Sequence, residues 1–455
     1  MKENLIAIGY PLPEDIEKLK WYGDFESCLS LIDRRLREDI PETLKEKLRI
    51  EKVQIRRMQR NYTVSEEEAQ KILRENLRDY REEELRELRE ANLVDWIFVK
   101  GEIRYIDSFY DNLIKIRKDI ADRQLYPEVV PADKPTSLVL RDTLMAKMKE
   151  EGSATCRMTL RASVELGEEL QKGIGEFHIH VSYPLEKLQI KNLRMISCNP
   201  APKMLPPSKA SHPTVYFEGN GEEVKRCEVV YSLDNTMQYF DLKPENVSTE
   251  QPGFYLGEQL PHISFTPYMR ALTEEIVGDE TNPLLKARRI YDFITTKVNY
   301  SFMRSYIALP NIVEYCASRL RGDCGVQALT FITMCRIAGV PARWQSGLYA
   351  DNNGAGCHDW AMFYVAPYGW LWADPSFGGS AWRAGMEERW NFYFGNLDPY
   401  RVCLTDEFQM PFVPEMKYLR SDPYDNQMGE VERSDRPVSN SQWTGKAEVL
   451  SCEIL

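Results

Sequence analysis

The chain has 455 residues, too many for one hydrophobic core, and its 43% apolar content fits folded domains rather than disorder. The net charge of −12 argues against a general nucleic-acid or anionic-membrane binder. Met1 to Pro11 has too short an apolar run for a signal peptide, and no stretch approaches the ~18 apolar residues of a membrane span. Ten cysteines without a Cys-x-x-Cys pair read as reduced thiols in a cytoplasmic protein.

Residues 1–125 read as a charged helical region. Ser65 and Glu68 form a capping box before a long helical segment, Glu66 to Asn92, whose Glu and Arg residues give many i,i+4 pairs. Trp96 to Ile106, with Gly101 in its middle, is a hairpin or a helix–turn–helix joint. The proline-rich stretch Tyr126 to Pro135 opens a linker with a short helix, 126–150. Residues 151–258 then alternate with period two between Pro/Gly/Asn breaks, which predicts a sandwich-like antiparallel β domain. In it Phe177, Ile179 and Val181 share one face of a strand, with His178, His180 and Ser182 on the other. Two such histidines without a further ligand nearby read as exposed strand residues rather than zinc ligands.

Asn282-Pro283 starts a helix with Ala287, Ile290, Tyr291 and Ile294 on one face, ending near Tyr300. Cys324 opens a second helix, whose face is Ala328, Phe331, Ile332 and Cys335 and whose stop is Gly339-Val340-Pro341. At a helix N-terminus the dipole and unpaired N–H groups favour a thiolate, so Cys324 is the candidate nucleophile. Gly322 and Gly325 leave room around it. His358 begins an alternating strand, Trp370 to Ala373 is the next, and the turn between them brings Asp374 towards the imidazole. His358 is the candidate base, and Asp374 is expected on its Nδ1. Six of the nine tryptophans fall between 344 and 390 and read as core or pocket wall. Ser376 to Ser380 reads as a loop bordering the cleft. Arg420 to Thr444 is polar and loop-like, and Ala447 to Leu455 is a closing strand.

Gly322-Asp323-Cys324, Gly339-Val340-Pro341-Ala342-Arg343, His358-Asp359-Trp360 and Trp372-Ala373-Asp374-Pro375 resemble the core of the transglutaminase-like superfamily. The order of domains resembles bacterial multidomain members of it. The resemblance, carried by roughly residues 260 to 400, implies a papain-like core, placed at 259–420; with the β domain and helical region before it and a C-terminal extension at 421–455, the chain reads as α+β. It also implies that Cys324, His358 and Asp374 act as nucleophile, base and orienter. The expected activity is acyl transfer or hydrolysis on peptide or side-chain amides through a thioester, protease or amidase before cross-linker. Cys324 N–H would hold the oxyanion, with Tyr300 or Gln327 as second donor. The expected partner is a protein or peptide substrate, with no cofactor, no metal, no nucleic acid and no membrane. Two other readings use the same residues. One is a silent binding or scaffold module with the same core. The other is a metal site of Cys324, Cys357, His358 and Asp374, which strand alternation disfavours because Cys357 and His358 point to opposite faces.

Overall fold

The computed structural model describes residues 5–127, 135–172 and 175–455. The stretch read as a linker lies in part, 128–134, outside the described residues. The fold is α+β, with an N-terminal helical region, antiparallel sheets and a core of helices against a five-stranded sheet.

In the helical region α1 (Glu42–Asn61) is the longest element. The capping box at Ser65 is present, its side chain accepting from Glu68 N while Glu68 accepts from Ser65 N. The long helix expected after it is two: α2 (Glu66–Asn76) and α3 (Glu82–Glu90). Between them Asp79 adopts a positive φ of 53°, which no α-helix can carry. The segment at 96–106 is a hairpin, β1 (Trp96–Val99) and β2 (Glu102–Tyr105). Lys100 and Gly101 both have positive φ, 52° and 81°, as a two-residue turn between twisted strands requires. Helix α4 (Phe109–Ile116) follows.

The β region is two facing sheets, and the C-terminal extension belongs to both. Strands β3 (Ser153–Leu166), β5 (Ile190–Asn199) and β7 (Arg226–Gln238) make one, and β4 (Glu176–Ser182) and β6 (Thr214–Asn220) the other. The second face of β4 is covered rather than exposed. His180 is 1% exposed and packs on Phe412, with its Nδ1 2.8 Å from Thr214 Oγ1.

In the core, α5 (Pro283–Lys297) is capped by Asn282, whose side chain accepts from Leu284 N and Leu285 N. Helix α6 (Cys324–Ile337) lies against the sheet formed by β8 (Ala342–Asp351), β9 (Gly354–Val365), β10 (Gly369–Ala373), β11 (Phe394–Gly395) and β12 (Arg401–Thr405). The predicted face Ala328, Phe331, Ile332 and Cys335 is fully buried. Ser376–Ser380 is not a loop but part of α7 (Pro375–Arg383). Asp374 caps it by accepting from Phe377 N at 3.0 Å, and Pro375 holds the first position. In the extension, β13 (Glu430–Arg433) pairs with β4, and β14 (Trp443–Ile454) pairs with β3 along its length. The buried side chains of the sandwich and the α6 sheet form one continuous core, while the N-terminal helices hold a second.

Candidate active site

Cys324 is the first residue of α6, and Asp323 is its N-cap, accepting from Val326 N at 3.1 Å. Tyr306 hydroxyl also donates to Asp323. The sulfur donates to Asp359 Oδ2 at 3.3 Å. Asp359 is 3% exposed, and Gln427 Nε2 donates to its other oxygen at 2.6 Å. Tyr300 lines the same cavity as Cys324, and Lys115 of α4 lies over the Tyr300 ring, 4.6 Å from its centre. The room beside Gly325 is taken: a Cβ there would come within 2.8 Å of Asp359 Oδ2 and against the Tyr306 hydroxyl.

Tyr300, Tyr306, Asp323, Cys324, Asp359 and Gln427 line a cavity of about 740 Å³. Its walls come from three parts of the chain: Arg57 and Arg60 of α1, Cys324 with Cys357 and Asp359, and Ser421 to Glu430 with Trp443. Arg57 Nη2 donates to Ser421 O at 3.1 Å, which ties the helical region to the extension. None of the six clustered tryptophans lines this cavity; Trp443 does.

His358 and Asp374 meet. His358 Nε2 lies 2.7 Å from Asp374 Oδ2. The nitrogen is Nε2, not the Nδ1 expected, because Asp374 reaches the ring from the end of β10 and the cap of α7. Arg401, fully buried, donates to the same oxygen at 2.9 Å and pairs with Asp398 at 2.9 Å. Burial raises the Asp374 pKa, but the His358 and Arg401 contacts and the Phe377 N–H together hold it well below the usual carboxylate range. Burial lowers the His358 pKa more than Asp374 raises it, so the ring is neutral at neutral pH.

Cys324 and His358 do not meet. Among the described residues no hydrogen bond joins them. The reason is strand alternation. Strand β9 is in regular register with β8, pairing Trp344 with Ala361, Ser346 with Asp359 and Gly347 with His358. Phe363 meets Phe331 of α6, and Trp344 and Asp359 flank Gly325, so the odd-numbered face of β9 is the one that meets α6. His358 lies on the other face, against Phe377 and Trp360. Cys357 therefore shares the cavity with Cys324, and the four residues of the metal reading do not converge.

The thiol is not activated as it stands. Burial, then the Asp359 and Asp323 carboxylates, push the Cys324 pKa well above its ordinary value. A helix N-terminus should lower it, but here Asp323 already occupies the N–H of Val326. Burial, with Asp323 and Asp422 adding to it, raises Asp359 to about 7. Gln327, one of the two expected oxyanion donors, is fully buried and gives its amide N–H to Gly322 O at 2.9 Å.

Sequence reasoning missed Asp359, Gln427 and Arg401. Asp359 lies inside a motif already singled out, and the alternation that separates Cys357 from His358 also separates Asp359 from His358. Gln427 and Arg401 carry no local signal.

Residues 270–375 match the transglutaminase-like superfamily. The chain carries a transglutaminase-like domain. The match spans α5, the Cys324 helix, the His358 strand and Asp374. A candidate cysteine protease from Cytophaga hutchinsonii is 12% identical, with 67% of this chain and 90% of that one covered at a TM-score of 0.37. The periplasmic domain of TgpA from Pseudomonas aeruginosa is 12% identical, with 51% of this chain and 91% of that one covered at a TM-score of 0.28. No curated protein matches the chain significantly.

Proposed function

We propose that the transglutaminase-like domain performs thiol-dependent acyl transfer on peptide or side-chain amides, with Cys324 as nucleophile and water as the preferred acceptor. The observation that carries this is the Cys324 thiol at the start of α6, open to a cavity and hydrogen-bonded at 3.3 Å to Asp359, a carboxyl that burial pushes up to about 7. A base with a pKa near the working pH is the efficient one.

In this reading Asp359 accepts the S–H proton as sulfur attacks the carbonyl carbon and the carbonyl electrons move to oxygen. Cys324 N–H and the Tyr300 hydroxyl hold that oxyanion. Asp359 then returns the proton to the leaving nitrogen as the C–N bond breaks, which leaves a thioester. Water gives a proton to Asp359 and adds to the thioester, and the thiol leaves with that proton. The substrate class is protein or peptide amides. A reducing, cytoplasmic setting belongs to the proposal, and ten unbridged cysteines support it.

A second assignment keeps Cys324 but makes His358 and Asp374 the acid–base pair. The 2.7 Å contact between them favours it. A silent binding module is the remaining reading, favoured by the raised thiol pKa.

Single substitutions separate the three, read by iodoacetamide labelling of Cys324 and by mass spectrometry of peptide cleavage and deamidation. Cys324→Ala should lose both signals. Asp359→Asn removes the anion that raises the thiol pKa, so labelling at pH 7 should rise about tenfold per unit of pKa recovered while turnover falls. His358→Ala should keep much of the turnover. Loss of turnover in folded His358→Ala, with turnover kept in Asp359→Asn, would make the triad correct. Wild-type labelling no faster than that of a peptide cysteine, with no turnover, would leave the silent module.

A further inference from the structure

The segment 421–430 does more than wall the cavity. Gln427 Nε2 donates to Asp359 Oδ1 at 2.6 Å and to Asp425 Oδ2 at 2.9 Å, so one amide nitrogen reaches both carboxyl groups. Asp359 and Asp425 are 3% and 4% exposed, and the shared amide nitrogen places the two buried carboxyls side by side. Two carboxylates cannot face each other in a buried site without a proton between them. Ser346 Oγ holds the Asp425 backbone carbonyl at 3.4 Å, which fixes the segment over β8.

We propose that Asp425 and Asp359 share one proton beside Cys324, bridged by Gln427, and that Asp425 is a positioning residue that sets the proton state of the reacting thiol. This rests on Cys324 as the reacting group.

The ionisable groups set against Asp359 are acidic ones. Asp323 and the thiol stand at the start of α6, and Cys357 lies two residues away on the same strand. Tyr300 and Tyr306 approach from the segment before α6, and Asp422 and Asp425 from the extension. Lys115 lies behind the Tyr300 ring and feels Cys324 and Asp323, and Arg57, Arg60 and Arg304 line the same cavity. Burial, then Asp422 and Asp359, raise Asp425 well above the usual carboxylate range, in keeping with a proton held on its side of the pair. With the proton there, the single negative charge is spread over both groups. Asn at 425 would still donate to Asp359 but could not take up charge, so the full charge would settle on the carboxyl that touches the sulfur.

The test is isotope-edited infrared spectroscopy of the full chain labelled with 4-¹³C-aspartate. At pH 8 the wild type should show a protonated, isotope-shifted aspartic acid band. The band should vanish in Asp425→Asn and persist in Cys324→Ala. Iodoacetamide labelling of Cys324 in Asp425→Asn should move to higher pH, about tenfold slower at pH 8. Absence of the band from the wild type would overturn the proposal, and that measurement needs no variant. So would a band that survives in folded Asp425→Asn, or a labelling profile that overlays the wild type. Turnover retained in Cys324→Ala, with the band and its loss as expected, would instead defeat the assignment of Cys324 and leave the shared proton standing.

Discussion

At the residue scale, the same helix start that should acidify Cys324 is neutralised by its own cap. Asp323 takes the first-turn N–H of Val326 to hold the helix, and Asp359 adds a second negative neighbour. The opposite charge balance surrounds Asp374, which serves His358, Arg401 and the first turn of α7 at once. Among the described residues, removing it leaves the buried Arg401 guanidinium paired with Asp398 alone. Asp374→Ala should therefore cost about 3–5 kcal/mol, since it uncovers a buried charge and a helix cap together. Asp374→Asn keeps the cap and should cost less. Urea unfolding of the two variants checks this; equal losses would mean that Arg401 and the cap are not what Asp374 supports.

At the element scale, the extension is part of the sandwich. Strand β14 covers β3 from Trp443 opposite Leu166 to Ile454 opposite Cys156, and its first residue walls the cavity. A chain ending at Gln442 would turn β3, a long strand with apolar inward residues, into an open edge. That truncation should aggregate or melt well below the full chain, measured by size exclusion and thermal unfolding. A monomer with an unchanged melt would show that β14 is dispensable. The closing strand was legible from its apolar run at 447–455, and so was the capping box at Ser65. The joining of β13 to β4 was not: Glu430 to Arg433 is charged, and only its partner strand makes it a strand.

At the scale of the whole molecule, several histidines are buried as neutral rings. Burial, with Arg420, His212 and His178 adding to it, depresses His180 to about 3. The unfolded ring takes a proton near 6.5 and the folded one does not, so the unfolded chain binds more protons in between. Stability from this group is complete well above pH 6.5 and is lost as pH falls through it, by about 2 kcal/mol between pH 7.5 and 5. His180→Gln has no such proton to take up. The wild type should lose about 2 kcal/mol more than His180→Gln between pH 7.5 and 5 in urea unfolding. Parallel losses would place the acid sensitivity elsewhere.

The chemistry-bearing residues were readable in the chain because their signals are local. A Cys at the head of a helix pattern, a His opening an alternating strand and an Asp-Pro after the next strand each announce themselves within a few positions. Local rules also settle that Cys357 and Asp359 share a face and His358 takes the other. They do not say which face meets α6, since both carry large side chains and either could be buried. Packing settles that: Phe331 against Phe363 and Trp344 beside Gly325 turn the Asp359 face to the thiol. Arg401, Asp398 and Gln427 reach their partners by long-range closure of the sheet and return of the extension. No spacing in the chain encodes those distances, because they are set by one core folding around residues far apart in sequence.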